Sequence, residues 1–263
     1  MIAFPNAKIN LGLNVLEKRT DGFHNIETIF YPVGLSDVLE IIPAIDGIFS
    51  FTSTGLPIPG DIQNNLCLKA YHLLFSIFHL PPVSIHLHKV IPMGAGLGGG
   101  SSDGAFTIKL LNDLFLLGLS NDQMLNYARN LGSDCAFFIL NKPVFAFDKG
   151  DQFETFDLDL TGYRIEIMTP DVYISTAEAY SMMGRNYDIP SHKSGGVVSV
   201  NSPIKEIIRK PIEEWKYLLI NDFELAVFNH FPEIEKVKKK FYADGAIYAS
   251  MSGSGAAVYG IFI

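Results

Sequence analysis

Between residues 94 and 102 the chain reads Gly94-Ala95-Gly96-Leu97-Gly98-Gly99-Gly100-Ser101-Ser102, five glycines in nine residues. Glycine loses more backbone freedom on folding than any other residue, so this density disfavours a plain turn and signals a close approach to the backbone. The segment follows an alternating, strand-like run from Val83 to Val90 and precedes an apolar helical pattern from Asp103 to Leu117. A loop without β-carbons that ends at a helix start aims N–H groups and the positive end of the helix dipole at one point, which suits phosphate. Ser101 or Ser102 can cap that helix or bond a phosphate oxygen. A tight loop with a serine N-cap is the bland alternative.

The hexapeptide Gly94 to Gly99 satisfies the dinucleotide pattern G-x-G-x-x-G. That fold also needs a second parallel strand ending in an acid about 20 residues on, whereas Ser102 is followed by a helix and then by another helix, from about Asn121 to Leu131. No Gly-Lys-Ser/Thr follows, which excludes the Walker A loop, and the protein-kinase H-R-D and D-F-G elements are missing. The loop therefore belongs to another phosphate-binding design.

Charge and composition narrow the partners. With 28 acidic and 20 basic side chains the net charge is -8, and no block of five consecutive bases occurs, so nucleic acid and anionic lipid are poor partners. A small anionic ligand stays possible because a local site can oppose the global field. The 48% hydrophobic content supports a folded core. Cys67 and Cys135 stand far apart, which indicates neither a disulfide framework nor a thiolate metal site and fits a reducing cytosol. The N-terminus lacks signal-peptide architecture and no apolar run approaches the roughly 18 residues of a membrane span, so a cytoplasmic protein without an obligate protein partner is expected.

Along the chain, Ala7, Ile9, Leu11, Leu13 and Val15 alternate with Lys8, Asn10, Gly12 and Asn14. This is strand patterning with a core face and a polar face. Thr20-Asp21-Gly22 reads as a turn, with extended runs at Ile26 to Val33 and Val38 to Ile42, and a helix at Asn64 to Phe78 stopped by Pro81-Pro82. The acidic run Asp151 to Asp159 reads as a solvated connection. It suggests two domains, residues 1–155 and 156–263. The second half carries strand patterns at Arg164 to Thr169, Gly245 to Ser250 and Ala256 to Ile263, helices at Thr176 to Met183 and Glu233 to Tyr242, and a mobile polar loop from Gly184 to Pro203. Patterning alone supports an α+β phosphate-binding protein. His86 and His88 share a strand face, but no third ligand has suitable spacing for a metal.

The segment Pro92-Met93-Gly94-Ala95-Gly96-Leu97-Gly98-Gly99-Gly100-Ser101-Ser102 resembles the P-x-x-x-G-L-G-S/G-S-S loop of the GHMP kinase superfamily. Pro5-Asn6-Ala7-Lys8-Ile9-Asn10-Leu11 is similar to the first superfamily motif and Ser252-Gly253-Ser254-Gly255-Ala256 to the third, in the expected order. Arg19-Thr20-Asp21-Gly22-Phe23-His24 and Gly132-Ser133-Asp134 further resemble the branch that phosphorylates cytidine diphosphate methylerythritol in the non-mevalonate isoprenoid route. The resemblance implies a two-lobed α+β fold, with an N-terminal lobe like domain 2 of ribosomal protein S5 and a ferredoxin-like C-terminal lobe. It implies ATP at the loop from Pro92 to Ser102, Asp134 as the base with Lys8 as its companion, and Asn10, Phe23, His24 and Tyr180 toward the small-molecule substrate. Mg2+ is required on chemical grounds to offset the triphosphate charge, and no residue is assigned to hold it.

Independent of resemblance, phosphoryl transfer needs a triphosphate cradle, positive charge, and a group positioning the attacking hydroxyl, and the sequence offers each. Lys8 also reads as a surface lysine, Asp134 as a helix N-cap, Phe23 as a core residue and Tyr180 as a core-edge one. The resemblance puts Phe23 where a tyrosine is common and Cys135-Ala136 where Val-Pro is common. Other alcohol kinases of the superfamily, a non-catalytic nucleotide-binding module and a nicotinamide oxidoreductase are the alternatives.

Overall fold

The structure, a computed structural model, describes residues 1–184 and 203–263, so the interior of the loop expected between Gly184 and Pro203 lies outside the described residues. Short β1 (Ile2–Ala3) leads into β2 (Asn6–Lys18), β3 (His24–Ser36), β4 (Val38–Pro43) and β5 (Ser50–Gly55), and then α1 (Leu66–Phe78) and β6 (Val83–Lys89). Helices α2 (Gly99–Leu114), α3 (Asn121–Leu131) and α4 (Cys135–Leu140) follow the glycine loop, and β7 (Val144–Phe147), β8 (Gln152–Thr155) and β9 (Arg164–Met168) come next. The chain ends with α5 (Thr176–Met182), α6 (Pro203–Ile208), α7 (Ile212–Leu218), α8 (Phe223–His230), α9 (Pro232–Ala243), β10 (Tyr248–Met251) and β11 (Val258–Phe262).

These elements form two compact units that interleave in sequence: Met1–Lys8, Pro32–Met93 and Gly98–Lys142 in one, Ile9–Tyr31, Gly94–Leu97 and Pro143–Ile263 in the other. The division differs from a single boundary between residues 155 and 156, because β2 and β3 are long enough for each to serve both units.

In the first unit the sheet order is β1-β4-β6-β5, with β5 parallel to β6 and the other pairs antiparallel. Leu39, Ile41, Val83, Ile85 and Leu87 alternate onto its buried face, as period-two patterning requires. His86 and His88 lie on the other face against Thr52 and Thr54. Among the described residues no group of three or more metal-ligating side chains gathers, there or elsewhere. Asn65 caps α1 through Cys67 N, and the helix ends at His79 in the left-handed conformation, before the prolines.

In the second unit the order β10-β11-β9 is antiparallel throughout. A core of Leu13, Val15, Phe223, Val227, Ile234, Phe241 and Val258 packs between this sheet and its helices. A third sheet runs β2-β3-β7-β8.

Three expectations change. The polar face of β2 is not solvated: Lys8, Asn10 and Asn14 are 3%, 2% and 7% exposed, because both faces of the strand are covered. The acidic run after Gly150 is not a free connection either, since β8 pairs with β7 and both Asp151 and Phe156 are buried. Finally, α2 starts at Gly99, four residues before the apolar pattern, with Gly98 as N-cap at φ 70° and no side-chain cap. Ser101 and Ser102 therefore sit inside its first turn. Strand β5 and helices α6 to α8 give no clear periodicity and were not expected.

Candidate active site

Asp134 follows the C-terminus of α3, where the Gly132 N–H closes the helix on Ala128 O, and stands at the N-cap of α4. Its carboxylate makes no capping hydrogen bond. It faces Lys8 instead, with Oδ2 3.5 Å from Nζ, side chains 34% and 4% exposed. Burial lowers the pKa of Lys8 and the neighbouring carboxylate opposes that shift. A β-carbon on Gly98 would lie 3.2 Å from Lys8 Cε, so the ammonium stem runs along the start of α2. The first unit thus pairs a buried cation with a half-exposed carboxylate beside that helix. Such a pair can hold a hydroxyl and steady negative charge.

Pro92, Met93, Gly94, Ala95, Gly96 and Leu97 form the descent into the loop, and Gly98, Gly99, Gly100, Ser101 and Ser102 its exit into α2. The hydroxyl of Ser102 is buried without a hydrogen-bond partner among the described residues. An unsatisfied group at a long helix's first turn suits an incoming acceptor.

Within the second unit, Gly94 (φ 70°) lies against the Tyr173 ring, and a β-carbon on Gly96 (φ 79°) would overlap the Ser252 carbonyl oxygen. A β-carbon on Gly255 would overlap the Ala95 backbone. The Ser252 hydroxyl donates to Gly96 O at 3.0 Å, and Ala257 N donates to Ala95 O at 3.0 Å. The third motif is therefore a backbone partner of the glycine loop, and part of the glycine density serves close contact between two segments of the chain. Asn10 supports the same junction: its N–H donates to Ser252 Oγ at 3.3 Å and its amide to Thr28 Oγ1 at 3.1 Å.

His24 stacks on Tyr180, with ring centroids 4.7 Å apart and planes within 12°. Tyr180 is held by α5, which carries the reciprocal Ser175–Glu178 capping box, and it meets Phe223 edge-on. Burial, with Lys18 adding to it, holds the His24 imidazole below the usual histidine range, while burial raises Tyr180 to about 12. Phe23 is not core: the residue is 55% exposed, with Lys149 Nζ 5.7 Å from its ring centroid. Arg19 fixes the turn that presents both residues through Asp21, Asn25 and Asp148. At 4.7 Å the His24–Tyr180 gap is closed to a third ring.

Sequence reasoning missed two supports. Asn221 donates to Met251 O at 3.1 Å and Gly253 O at 2.8 Å, holding the third motif. No local pattern marks it. Lys89, buried with Asp37 and Asp103, was legible: it continues the inward series Val83, Ile85, Leu87, where a charge needs a partner.

Residues 65–142 match the description GHMP kinases N terminal domain and residues 203–263 the description GHMP kinases C terminal. A Bacteroides thetaiotaomicron protein named 4-diphosphocytidyl-2-C-methyl-D-erythritol kinase is 53% identical over 264 residues, covering 100% of this chain and 92% of its own length. A crystal structure of 4-(cytidine 5'-diphospho)-2C-methyl-D-erythritol kinase superposes with a TM-score of 0.79 at 30% identity, covering 99% of this chain and 90% of that one. A mevalonate kinase crystal structure superposes at 0.72 with 13% identity, over 100% and 91% of the two chains, a likeness of fold alone.

Proposed function

The chain belongs to the 4-diphosphocytidyl-2-C-methyl-D-erythritol kinase family of the GHMP kinases, and from that premise we propose that it transfers the γ-phosphoryl group of ATP to the 2-hydroxyl of 4-diphosphocytidyl-2-C-methyl-D-erythritol. The products are the 2-phosphate and ADP, a step toward isoprenoid precursors by the non-mevalonate route. The observation that carries this reading is the Lys8–Asp134 pair at 3.5 Å beside the glycine loop, with an aspartate that forgoes its helix cap.

In this mechanism Asp134 accepts the hydrogen of the substrate hydroxyl, and the freed oxygen attacks the γ-phosphorus as the bond to the β-phosphate oxygen breaks. Lys8 holds the carboxylate in place and offsets charge on the transferring phosphoryl group. The triphosphate is received by the first-turn N–H groups of α2 and by Ser101 and Ser102. Magnesium carried on ATP would offset the triphosphate charge.

Phe23 offers an exposed ring for the cytosine face, and His24, kept neutral, offers one donor and one acceptor to the base edge. Tyr180, stacked on His24, fixes the plane of that imidazole. Asn10 contributes through the third motif. We place the enzyme in the cytoplasm; no helix among the described residues is long and apolar enough to cross a membrane.

The test is ADP release with magnesium and ATP, offering the cytidine compound, homoserine and mevalonate in parallel, with product mass as the readout. Phosphorylation of the cytidine compound alone is expected. Turnover of homoserine or mevalonate instead would transfer the reading to another member of the superfamily, and turnover of none would leave a nucleotide-binding module.

A further inference from the structure

The glycine loop is tied at both ends by one buried set of charges. Asp37, between β3 and β4, accepts through Oδ1 from the N–H groups of Val90 at 2.5 Å and Ile91 at 2.8 Å, the residues that lead into Pro92. Its Oδ2 accepts from Lys89 Nζ at 2.5 Å, and the same ammonium donates to Oδ2 of Asp103 at 2.8 Å. Asp103 lies just past the first turn of α2, so Lys89 and Asp103, 14 residues apart, join the entry of the loop to its exit. The Lys89 and Asp37 side chains have no exposure and that of Asp103 has 4%. A β-carbon on Gly99 would stand 2.9 Å from Lys89 Nζ, which puts the ammonium directly under the first helical turn.

The carboxyl oxygens of Asp37 and Asp103 already accept from the Lys89 ammonium, so it is not a cation available to a phosphate. What the arrangement supplies is geometry. A loop this rich in glycine has many conformations to lose, and each must be suppressed before its N–H groups converge. Fixing its two ends removes much of that freedom before any nucleotide arrives, and preorganisation of this kind appears as affinity. Asp37 extends the tie further, since its own N–H donates to Pro5 O at 2.9 Å, three residues before Lys8.

We infer that Asp37, Lys89 and Asp103 are positioning residues that hold the glycine loop in its phosphate-receiving conformation, so that nucleotide affinity depends on the Lys89–Asp103 tie without either side chain touching nucleotide. The inference rests on the reading of this loop as the ATP site.

Asp103→Ala cuts the tie across the loop and leaves the Asp37–Lys89 pair in place, whereas Asp103→Asn keeps an acceptor for the ammonium. The full chain is assayed for KM toward each substrate, and ADP is titrated calorimetrically, which requires no turnover. Asp103→Ala is expected to raise the KM for ATP and the Kd for ADP about tenfold or more, with the KM for the cytidine compound unchanged. Asp103→Asn should restore both constants to within about threefold, and amide exchange at residues 93–102 should quicken in the alanine variant only.

A folded Asp103→Ala protein with wild-type ADP affinity overturns the inference, as does a rise of both KM values together. Should that variant not fold, Lys89→Met is measured by the same constants: a selective loss of ADP and ATP affinity supports the inference, and wild-type ADP affinity overturns it. Failure of the kinase reading is separable, because it appears in the wild-type chain as ADP binding without turnover, and the ADP titrations of the variants still decide the inference.

Discussion

Asp134 shows how one side chain is assigned between two chemistries. Its position at the start of α4 is one where aspartate commonly caps a helix, yet its carboxylate turns to Lys8 and the cap goes unmade. Forgoing a cap costs about 1 kcal/mol, a cost that pairing with the buried Lys8 ammonium offsets. Asp134→Asn keeps the size and removes the base. Turnover is expected to fall by about 10³-fold, within the range for general-base catalysis, with the KM for ATP held within about twofold. Coupled ADP-release kinetics measure both, and an unchanged turnover would remove Asp134 from the reaction. Lys8 was legible only through its motif: alternation put it on a polar face, and the fold then buried that face.

Among the elements, the loop from Gly94 to Leu97 and the third motif behave as one backbone junction. Gly96 combines a positive φ of 79° with direct contact to Ser252 O, so any side chain there meets both conformational strain and overlap. The left-handed conformation alone costs a residue with a β-carbon about 1–2 kcal/mol. Gly96→Ala should therefore lower the thermal unfolding midpoint by several degrees and weaken ATP binding with it. Gly34→Ala, at a site with nothing within 4 Å of the added carbon, is the control that should leave both unchanged. Equal midpoints in the two variants would show that the junction is not held tightly. Helix and strand positions with clean periodicity were legible in the sequence, including α1, α3 and α9. The short helices α6 to α8 were not, because six to eight residues rarely complete a readable pattern and their burial comes from packing.

Stability of the whole molecule should carry the signature of one buried carboxyl. Burial raises Asp103 from the ordinary 3.8 to about 7, even though Lys89 pulls the other way. Between those values the folded chain keeps a proton that the unfolded chain has released. The contribution is thus complete below about pH 4 and is lost as pH rises through about 7. Urea unfolding followed between about pH 5 and 8 should show stability falling with pH, and Asp103→Asn, which cannot titrate, should flatten that slope. A slope unchanged by the substitution would assign it to other groups. The chain by itself determined the chemistry on offer: three motifs in order, a glycine loop feeding a helix, and the lysine and aspartate that make a kinase site plausible. These are local matters of backbone freedom and residue type, which a linear string records. Only the tertiary structure decided which other polar groups lose their water and which groups meet, burying Lys8 and Asn10, closing Tyr180 onto His24, and bringing Asp37 and Asp103 to Lys89. Burial depends on what the rest of the chain lays over a residue, and that is not written near it in sequence.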